Sequence, residues 1–445
     1  MRIRFWGTRG SIAKPGPDTL RYGGNTPCVE VRTEDGTLLV LDCGTGAHDL
    51  GQSLAASGER PLRGHLLISH FHWDHIQGFP FFSPLFIPGN EWDVYGPGGM
   101  GQQLKSILAG QMNYSYFPIT LEEFGATVRY NNLGEGAFDI GGIRITTQYT
   151  NHPALTLGFR LEAGGAAVVY IPDHEPNTLF AAGGAPGALP VHRADRRHVE
   201  FLKGADLLIH DSQYTLEEYP GKVSWGHSPF EKAVDYAIAG NARRLALFHH
   251  DPLRGDAALD RLAEAARRRA QQGARAPEVF PAAEGQVIEL PEAGAKELPS
   301  IASLPSARLS PASPRRSGTV LIVDDDPFML KLLERTLEAE NGIRLVTAAD
   351  GETAVELIQK ERPVLVLLDW SLPKLDGIEV CRIIRAQGDP GVRDVPILMV
   401  TGKRLEENDV VQCFEAGASD YITKKFSPTQ LRTRVRGWLL RTTAA

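Results

Sequence analysis

The sequence predicts an α/β protein of two domains, the second of which is built on a doubly wound parallel sheet. At 445 residues the chain is longer than one hydrophobic core usually supports. Residues 291–318 are rich in Pro, Ser, Ala and Gly, a composition typical of an interdomain linker. From residue 319 to 441, apolar strands alternate with amphipathic helices, which is the pattern of a parallel sheet covered on both faces. We therefore expect the first domain at 1–290 and the second at 319–441.

Composition and charge narrow the class of protein. Hydrophobic residues make up 42% of the chain and charged residues 23%, as in soluble globular proteins. The formal net charge of −7 disfavours a broad nucleic-acid or anionic-membrane surface. The chain begins with a strand-like segment, has no apolar run of about 18 residues, and has no C-x-x-C cysteine pair. We therefore expect a cytoplasmic protein with reduced thiols, and neither a membrane nor nucleic acid as its partner.

The first domain opens with short strands. Residues 3–6, 27–32 and 38–41 have strand character, and glycine-rich loops connect them. A helix is expected near 49–57. Aromatic residues are frequent between 76 and 151, where most should fill core. Some of them could instead line a pocket for a flat group such as a base.

The main chemical motif follows the next apolar strand. Residues 70–75 read HFHWDH, directly after the apolar run at 66–68. An H-x-H-x-D-H segment leaving a buried strand can direct two imidazoles to one metal ion and turn its aspartate and third histidine toward a second. Such ligands suit Zn²⁺ or Mn²⁺, which can activate a water molecule. Two polar residues of the preceding loops, Arg9 and Asn25, could lean over this site and hold a phosphate, or belong to simple turns.

Further polar residues stand where apolar strands end, the usual position of active-site groups. His152, Asp173 and His249 each follow such a strand. His249 is preferred over His250 as a ligand because it directly follows the strand. His174, beside Asp173, is expected to be an outer neighbour of the site or exposed to solvent.

This order of candidate ligands resembles the metallo-β-lactamase superfamily, and the resemblance covers residues 1–290. It implies an αββα sandwich with a dinuclear metal centre. It further implies one ion held by His70, His72 and His152, a second held by Asp74, His75 and His249, and Asp173 as the bridge between them.

One more pair bears on the chemistry. Asp211 ends an apolar strand, and a later loop carries His227. The pair resembles one in the ribonuclease Z-like branch of the superfamily, where an acidic residue orients a histidine that assists the leaving oxygen of a phosphodiester. That branch usually has glutamate where this chain has Asp211. The alternative is a structural Asp–His hydrogen bond, or no contact at all.

The strands of the second domain also end in polar residues. Asp324 and Asp325 follow the first strand, Asp369 the third, Thr401 the fourth and Lys424 the fifth. Carboxylates that meet at the carboxyl edge of a parallel sheet need a cation between them, and their oxygens suit Mg²⁺. Asp369 could then attack phosphorus as a nucleophile, while Thr401 and Lys424 contact the phosphoryl group.

This constellation resembles the receiver domain of response regulators, a flavodoxin-like (βα)5 fold. The resemblance implies Asp369 as the phosphoacceptor, Mg²⁺ held by Asp324, Asp325, Asp369 and the backbone of Ser371, and a switch formed by Thr401, Tyr421 and Lys424. It also implies a sensor histidine kinase or phosphotransfer protein as a partner. Both families often dimerise, so a homodimer is compatible with the resemblance.

Together the two domains predict a dinuclear metal-dependent phosphodiesterase controlled by phosphorylation of Asp369, with a cyclic nucleotide or another small phosphodiester as its substrate. Asp74 or Asp173 would orient the attacking hydroxide, and His227, steered by Asp211, would assist the leaving oxygen. No helix-turn-helix sequence is left once both domains are assigned. Two alternatives stay open, namely a lactone or thioester hydrolase on the same scaffold, and a signalling adaptor without turnover.

Overall fold

The computed structural model describes residues 1–58, 61–98, 103–177, 186–190, 192–273, 275–290, 318–338, 340, 342–402, 412–424 and 426–442. The predicted linker at 291–318 therefore lies outside the described residues, apart from Gly318, which begins a strand. Among the helices of the described part, none is both long and apolar enough to cross a membrane.

Two seven-stranded sheets form the first domain. The strands are β1 (Arg2–Gly7), β2 (Cys28–Arg32), β3 (Leu38–Leu41), β4 (Arg63–Leu67), β5 (Glu91–Pro97), β6 (Thr127–Leu133), β7 (Gly136–Ile140), β8 (Ile143–Tyr149), β9 (Leu157–Ala163), β10 (Ala166–Ile171), β11 (Leu207–Asp211), β12 (Arg244–Phe248), β13 (Glu278–Pro281) and β14 (Val287–Glu289). One sheet has the order β14-β1-β2-β3-β4-β5-β6, and the other has the order β13-β12-β11-β10-β9-β8-β7.

The helices cover the outer faces of these sheets. They are α1 (Ala47–Ala56), α2 (Trp73–Ile76), α3 (Leu104–Gln111), α4 (Arg193–Leu202), α5 (Phe230–Ala239) and α6 (Asp256–Ala270), with short 3-10 turns at Pro17–Thr19, Phe79–Phe81, Ser83–Phe86, Leu121–Glu123 and Tyr219–Lys222. Alternate residues along a strand therefore pack into different hydrophobic cores, one between the two sheets and one beneath the helices. In β10, Val168 and Tyr170 pack between the two sheets, whereas Val169 and Ile171 pack under the helices. This arrangement is the predicted αββα sandwich, which is confirmed.

The carboxyl ends of several parallel strands meet at one edge of the sandwich. β10 pairs with β11 and β11 with β12, all in parallel register, and in the facing sheet β3 pairs in parallel with β4. The residues that follow neighbouring parallel strands lie at the same edge of the sheet. The polar residues that follow β3, β4, β10, β11 and β12 are thereby gathered at one end of the core.

The second domain is a five-stranded parallel sheet of order β16-β15-β17-β18-β19. Its elements are β15 (Gly318–Val323), α7 (Pro327–Leu337), β16 (Ile343–Ala348), α8 (Gly351–Glu361), β17 (Leu365–Asp369), α9 (Gly377–Arg385), α10 (Pro390–Arg393), β18 (Ile397–Thr401), β19 (Asp420–Thr423) and α11 (Pro428–Thr442). In β15, Leu321 and Val323 face one buried layer while Val320 and Ile322 face the other. The predicted doubly wound fold is confirmed.

Candidate metal centre and acidic cluster

The HFHWDH segment leaves β4 and immediately starts the short helix α2. His72 precedes the helix in extended conformation (ψ 149°), and the N–H of His75 bonds to the carbonyl of His72 at 3.0 Å. This single turn separates the two kinds of ligand. His70 and His72 project before the turn, whereas Asp74 and His75 project from within it.

One group of ligand atoms gathers at the first of two positions. It comprises His70, His72, His152 and Asp173, whose ligand atoms all lie within 4.8 Å of one another. Nε2 of His152 is 3.0 Å from Nδ1 of His72 and 3.6 Å from Oδ2 of Asp173. Nε2 of His70 is 3.5 Å from the same carboxylate oxygen. The predicted first ligand set is thus brought together by three separate loops.

A second group lies on the other side of Asp173. Asp74, His75 and His249 form it. Oδ2 of Asp74 is 3.0 Å from Nε2 of His249 and 3.3 Å from Nε2 of His75. Oδ1 of Asp173 lies 3.4 Å and 3.2 Å from these same two nitrogens. Asp173 therefore directs Oδ2 to the first group and Oδ1 to the second, which is the geometry of a bridging carboxylate.

The donor sets fit divalent metal ions. Ligands held about 2.0–2.1 Å from one tetrahedral ion lie roughly 3.3 Å apart, close to the separations observed. His70 Nε2, His75 Nε2 and Asp173 Oδ1 are buried and, within the described part of the chain, make no hydrogen bond of acceptable geometry. Burial also lowers the pKa of His70 and of His152 well below the usual value, which favours the neutral, metal-binding imidazole.

His249 and His250 have different surroundings. The ring of His249 stacks on those of His75 and His227 inside the cluster. The ring of His250 points the other way, and its Nε2 bonds to the carbonyl of Ala282 at 2.8 Å. Burial, followed by the charge of Arg9, lowers the pKa of His250 to about 3. Between the two neighbours, only His249 reaches the other ligands.

Three outer partners orient the ligand imidazoles, and none of them was predicted from the sequence. Asp42, at the end of β3, bonds to Nδ1 of His75 at 2.8 Å. Oε1 of Gln213 lies 2.9 Å from Nδ1 of His249, and the carbonyl of Gly226 lies 2.9 Å from Nδ1 of His152. Each partner fixes which nitrogen is free for a metal. Asp42 could have been recognised, because it follows an apolar strand as the ligands do.

The predicted Asp211–His227 pair is in contact. Oδ2 of Asp211 lies 3.2 Å from Nδ1 of His227, and Oδ2 of Asp173 is 3.9 Å from the same nitrogen. Burial opposes the charged imidazole, but the carboxylates of Asp211 and then Asp173 and Asp74 outweigh it and raise the pKa of His227 to about 9. Asp211 also accepts the N–H of Ser228 at 3.0 Å. The pair is therefore rigid and directly beside the bridging ligand.

For three residues the structure decides between alternatives that the sequence left open. Arg9 is buried, and its guanidinium donates to the backbone carbonyls of Gly23, Asp251 and Arg254, so its donors hold loops together and are not aimed at a phosphate. Asn25 donates its N–H groups to the carboxylate of Glu284.

The third concerns His174, for which exposure to solvent was one expectation. Its ring is only 2% exposed and stacks on that of His198 at 3.9 Å. It therefore belongs to the interior behind Asp173.

The second domain gathers its polar residues as predicted at the carboxyl edge of its sheet. Oxygens of Asp324, Asp325 and Asp369 lie within 4.8 Å of one another. Nζ of Lys424 is 3.0 Å from Oδ2 of Asp324 and 3.1 Å from Oδ2 of Asp369. Burial raises the pKa of Asp369, and Lys424 opposes that shift. Thr401 ends β18 at this edge.

The remaining predicted receiver residues lie near this cluster in the chain. Ser371 is exposed, two residues after Asp369. Tyr421, in β19, is half-buried, and its ring centroid is 6.2 Å from that of Phe414.

Comparisons with known proteins agree with the two folds. A family model described as the beta-lactamase superfamily domain matches residues 37–250, and one described as the response regulator receiver domain matches residues 320–436. The alkaline phosphatase synthesis transcriptional regulatory protein PhoP of Bacillus subtilis (strain 168) is 45% identical over 126 residues, which are 28% of this chain and 50% of PhoP. The chain spans about half the length of the curated relatives it matches.

Two solved structures resemble the first domain. The metallo-beta-lactamase fold protein YhfI from Bacillus subtilis is 21% identical, with 65% of this chain and 99% of YhfI covered and a TM-score of 0.46. The short form of human tRNase Z is 22% identical, with 65% and 100% covered and a TM-score of 0.43.

Each half of the chain thus has a defined class: a metal-binding αββα sandwich, followed by a doubly wound domain with an acidic cluster. Residues 37–250 are thus similar to the beta-lactamase superfamily domain, and residues 320–436 are similar to the response regulator receiver domain.

Proposed function

We propose that the protein is a metal-dependent phosphodiesterase that acts on a cyclic nucleotide or another small phosphodiester and responds to phosphorylation of Asp369. The observation that carries this proposal is the Asp211–His227 pair beside the bridging carboxylate of Asp173, with Nδ1 of His227 3.2 Å from Asp211. Ester cleavage by the metal-binding scaffold alone does not need such a pair.

The ligand residues would hold two divalent ions, Zn²⁺ or Mn²⁺, at the positions already described. When bound, such ions supply Lewis-acid polarisation of the phosphoryl oxygens and an activated water. Asp74 and Asp173 orient the attacking oxygen through their carboxylates. His227 holds its Nδ1 against Asp211, so that Nε2 is the nitrogen that offers a proton to the leaving oxygen.

Two exposed tryptophans support a substrate with a flat group. Trp73 lies between the ligands His72 and Asp74 and is 75% exposed, while Trp225 lies two residues before His227 and is 56% exposed. Stacking of a base on an aromatic side chain is worth about 1–3 kcal/mol. Exposed indoles one residue before Asp74 and two residues before His227 are consistent with a nucleotide as the substrate.

Control of the enzyme is assigned to the receiver domain. Asp369 would accept a phosphoryl group from a sensor histidine kinase or phosphotransfer protein, with Mg²⁺ held by Asp324, Asp325 and Asp369. Lys424 spans two of these carboxylates and would pair with the added charge.

The test compares leaving groups in the variant His227→Ala. Bis-p-nitrophenyl phosphate has a good leaving group that needs little protonation, whereas a cyclic nucleotide has a poor one. General acid catalysis contributes roughly 10²–10⁴-fold, so we expect kcat to fall that much for the cyclic nucleotide and far less for the nitrophenyl diester. Metal content should stay unchanged. The control is His48→Ala, which removes an exposed histidine.

Three results would contradict the proposal. Equal losses on both diesters would mean that His227 has only a structural role. Turnover of lactones or thioesters, with none of diesters, would assign the scaffold to ester hydrolysis. A protein with both metals bound and no turnover on either panel would be an adaptor.

A further inference from the structure

Glu175 anchors the loop that carries His227. The carboxylate of Glu175 accepts hydrogen bonds from the N–H groups of Ser224 at 2.6 Å and Gly226 at 2.9 Å. It also accepts the hydroxyl of Tyr219. Glu175 is only 6% exposed, so these bonds are shielded from water. The anchor therefore determines where residues 224–228 lie.

The same loop contacts both the proposed acid and a metal ligand. Ser224 and Gly226 adopt left-handed backbone angles (φ 67° and 90°), and a Cβ on Gly226 would lie 2.1 Å from Nδ1 of His152. A non-glycine residue in this conformation is costly unless its surroundings hold it. A small movement of the loop would therefore change the placement of His227 and the carbonyl that orients His152.

The receiver domain packs on the opposite side of this anchor. A small cavity is lined by Glu175 and Tyr219 from the first domain and by Phe414, Asp420 and Trp438 from the second. Phe414 also packs against an apolar cluster of the first domain formed by Tyr214, Tyr219 and Val223. The residues that hold the His227 loop thus form part of the contact surface between the domains.

Phe414 in turn is connected to the phosphoacceptor. Its ring meets that of Tyr421 at an interplanar angle of 81°. Tyr421 lies in β19, and Lys424, which follows that strand, is 3.1 Å from Oδ2 of Asp369. A continuous series of contacts therefore runs from the acidic cluster through β19 and Phe414 to Tyr219.

The contact between the domains is not packed like a domain core. A second cavity, of about 260 Å³, lies between them, with Arg197 and His198 on one side and Pro363, Pro390 and Val395 on the other. Domain interiors contain few voids of this size. Interfaces of this kind allow relative motion of the domains.

We propose that Glu175 is a positioning residue through which the receiver controls the His227 loop, and that Phe414 delivers the signal to it by packing against the cluster of Tyr214, Tyr219 and Val223. The inference rests on the proposed function for its effect on turnover. Its structural part, a receiver-dependent loop, can be measured without any substrate.

The first experiment follows amide hydrogen exchange of residues 219–228 in the full-length, metal-loaded protein, with and without beryllofluoride as a mimic of phosphorylated Asp369. The amides of Ser224 and Gly226 report directly on their bonds to Glu175. We expect beryllofluoride to change their exchange in the natural protein, and Phe414→Ala to abolish the change. Phe328→Ala, which removes an exposed receiver aromatic, serves as the matched control. Val223→Ala repeats the test from the other side of the contact.

The second experiment measures kinetics of Glu175→Gln. This variant keeps a side chain of the same size but gives up the charged acceptor. Misplacement of a reacting group by about 1 Å can cost on the order of 10²-fold in rate, so we expect a kcat loss approaching that size. KM and metal content should change little, and beryllofluoride should no longer alter kcat.

The outcomes separate this inference from the proposed function. Exchange that responds to beryllofluoride in a protein without diesterase activity would support the loop coupling and refute the phosphodiesterase. The coupling would be refuted if turnover responds to beryllofluoride while amide exchange of residues 219–228 does not. It would also be refuted if the response persists in both Phe414→Ala and Val223→Ala. Either result would leave the proposed phosphodiesterase activity standing.

Discussion

The metal centre of the first domain and the acidic cluster of the second both lie at the carboxyl ends of parallel strands, but they differ in ligand type and burial. The first combines imidazoles with carboxylates, and most of its ligands are buried, with His72 as the exposed one. The second consists of three carboxylates, of which Asp325 is exposed. Nitrogen-rich closed sites retain zinc-like ions, whereas open oxygen sites suit exchangeable Mg²⁺. We therefore expect the first site to retain its ions and the second to exchange Mg²⁺, although both lie at the same position in a sheet.

The residues that surround the two sites also differ in how many hydrogen bonds they make to the site residues. In the first domain Asp42 accepts hydrogen bonds from His75, Tyr170 and Ser69. In the second domain the acidic cluster is neutralised mainly by one half-buried lysine, Lys424. A rigid shell suits catalysis on a fixed geometry, whereas a single movable cation suits a switch.

The largest expected effect is that of Asp173→Asn, which breaks the bridge between the two ligand groups. Loss of metal-ion stabilisation worth several kcal/mol corresponds to roughly 10³-fold or more in kcat. Steady-state kinetics and elemental analysis of bound metal measure it. Asp139→Asn, at an exposed ion pair with Arg144, is the control. Turnover of Asp173→Asn within tenfold of the natural protein would disprove the bridging role.

A smaller effect is expected from Asp42→Asn. The variant keeps the size of the side chain but weakens the bond to Nδ1 of His75. Loss of such an outer partner typically costs about 10–100-fold in metal affinity or activity. Metal titration with a competing chelator measures the affinity. An unchanged affinity would show that the surrounding ligands alone fix His75.

Treatment with a chelator should distinguish the two sites by the rate at which each loses its metal ions. Brief treatment with a chelator should remove Mg²⁺ from the receiver at once, and so abolish beryllofluoride binding, while basal turnover declines only slowly. The reason is the burial of His70, His75 and Asp173 compared with the exposure of Asp325. Equal rates of loss would mean that burial does not distinguish the sites.

The smallest effect on basal turnover is expected from Asp369→Asn. It removes the phosphoacceptor but preserves its shape, so basal kcat should stay within about twofold, a change worth less than ~0.5 kcal/mol. The response to acyl phosphate or beryllofluoride should vanish, as measured by kinetics in the presence of Mg²⁺. A large fall in basal activity would show that the first domain depends on Asp369 itself.

Much of this organisation was predictable from the sequence, for identifiable reasons. Apolar strands followed by His152, Asp173 and His249 are local patterns, and the doubly wound alternation after residue 319 is local as well. The parallel sheets then bring these strand ends together, as the two folds require. The regular part of the fold was predictable from these patterns, whereas the assignment of the ligands to two ions came from the resemblance to the metallo-β-lactamase superfamily.

The missed features depend on contacts between distant segments. Glu175 and Gln213 are single polar residues in loops, and nothing in their neighbours shows that a loop amide or a ligand imidazole will meet them. The role of Arg9 stayed open because a cationic side chain in a glycine-rich loop can bind a phosphate, whereas in the structure backbone carbonyls accept its hydrogen bonds. The packing of Phe414 against the cluster of Tyr214, Tyr219 and Val223 joins two domains and has no sequence signature.

The central claim is that the receiver controls a phosphodiesterase. The most direct measurement is hydrolysis of bis-p-nitrophenyl phosphate and a cyclic-nucleotide panel by the full-length, metal-loaded protein, with and without beryllofluoride. We predict turnover of at least one diester and a kcat that changes when beryllofluoride occupies Asp369. Turnover that is the same with and without beryllofluoride would contradict receiver control, and absence of diester turnover with both metals bound would contradict the phosphodiesterase itself.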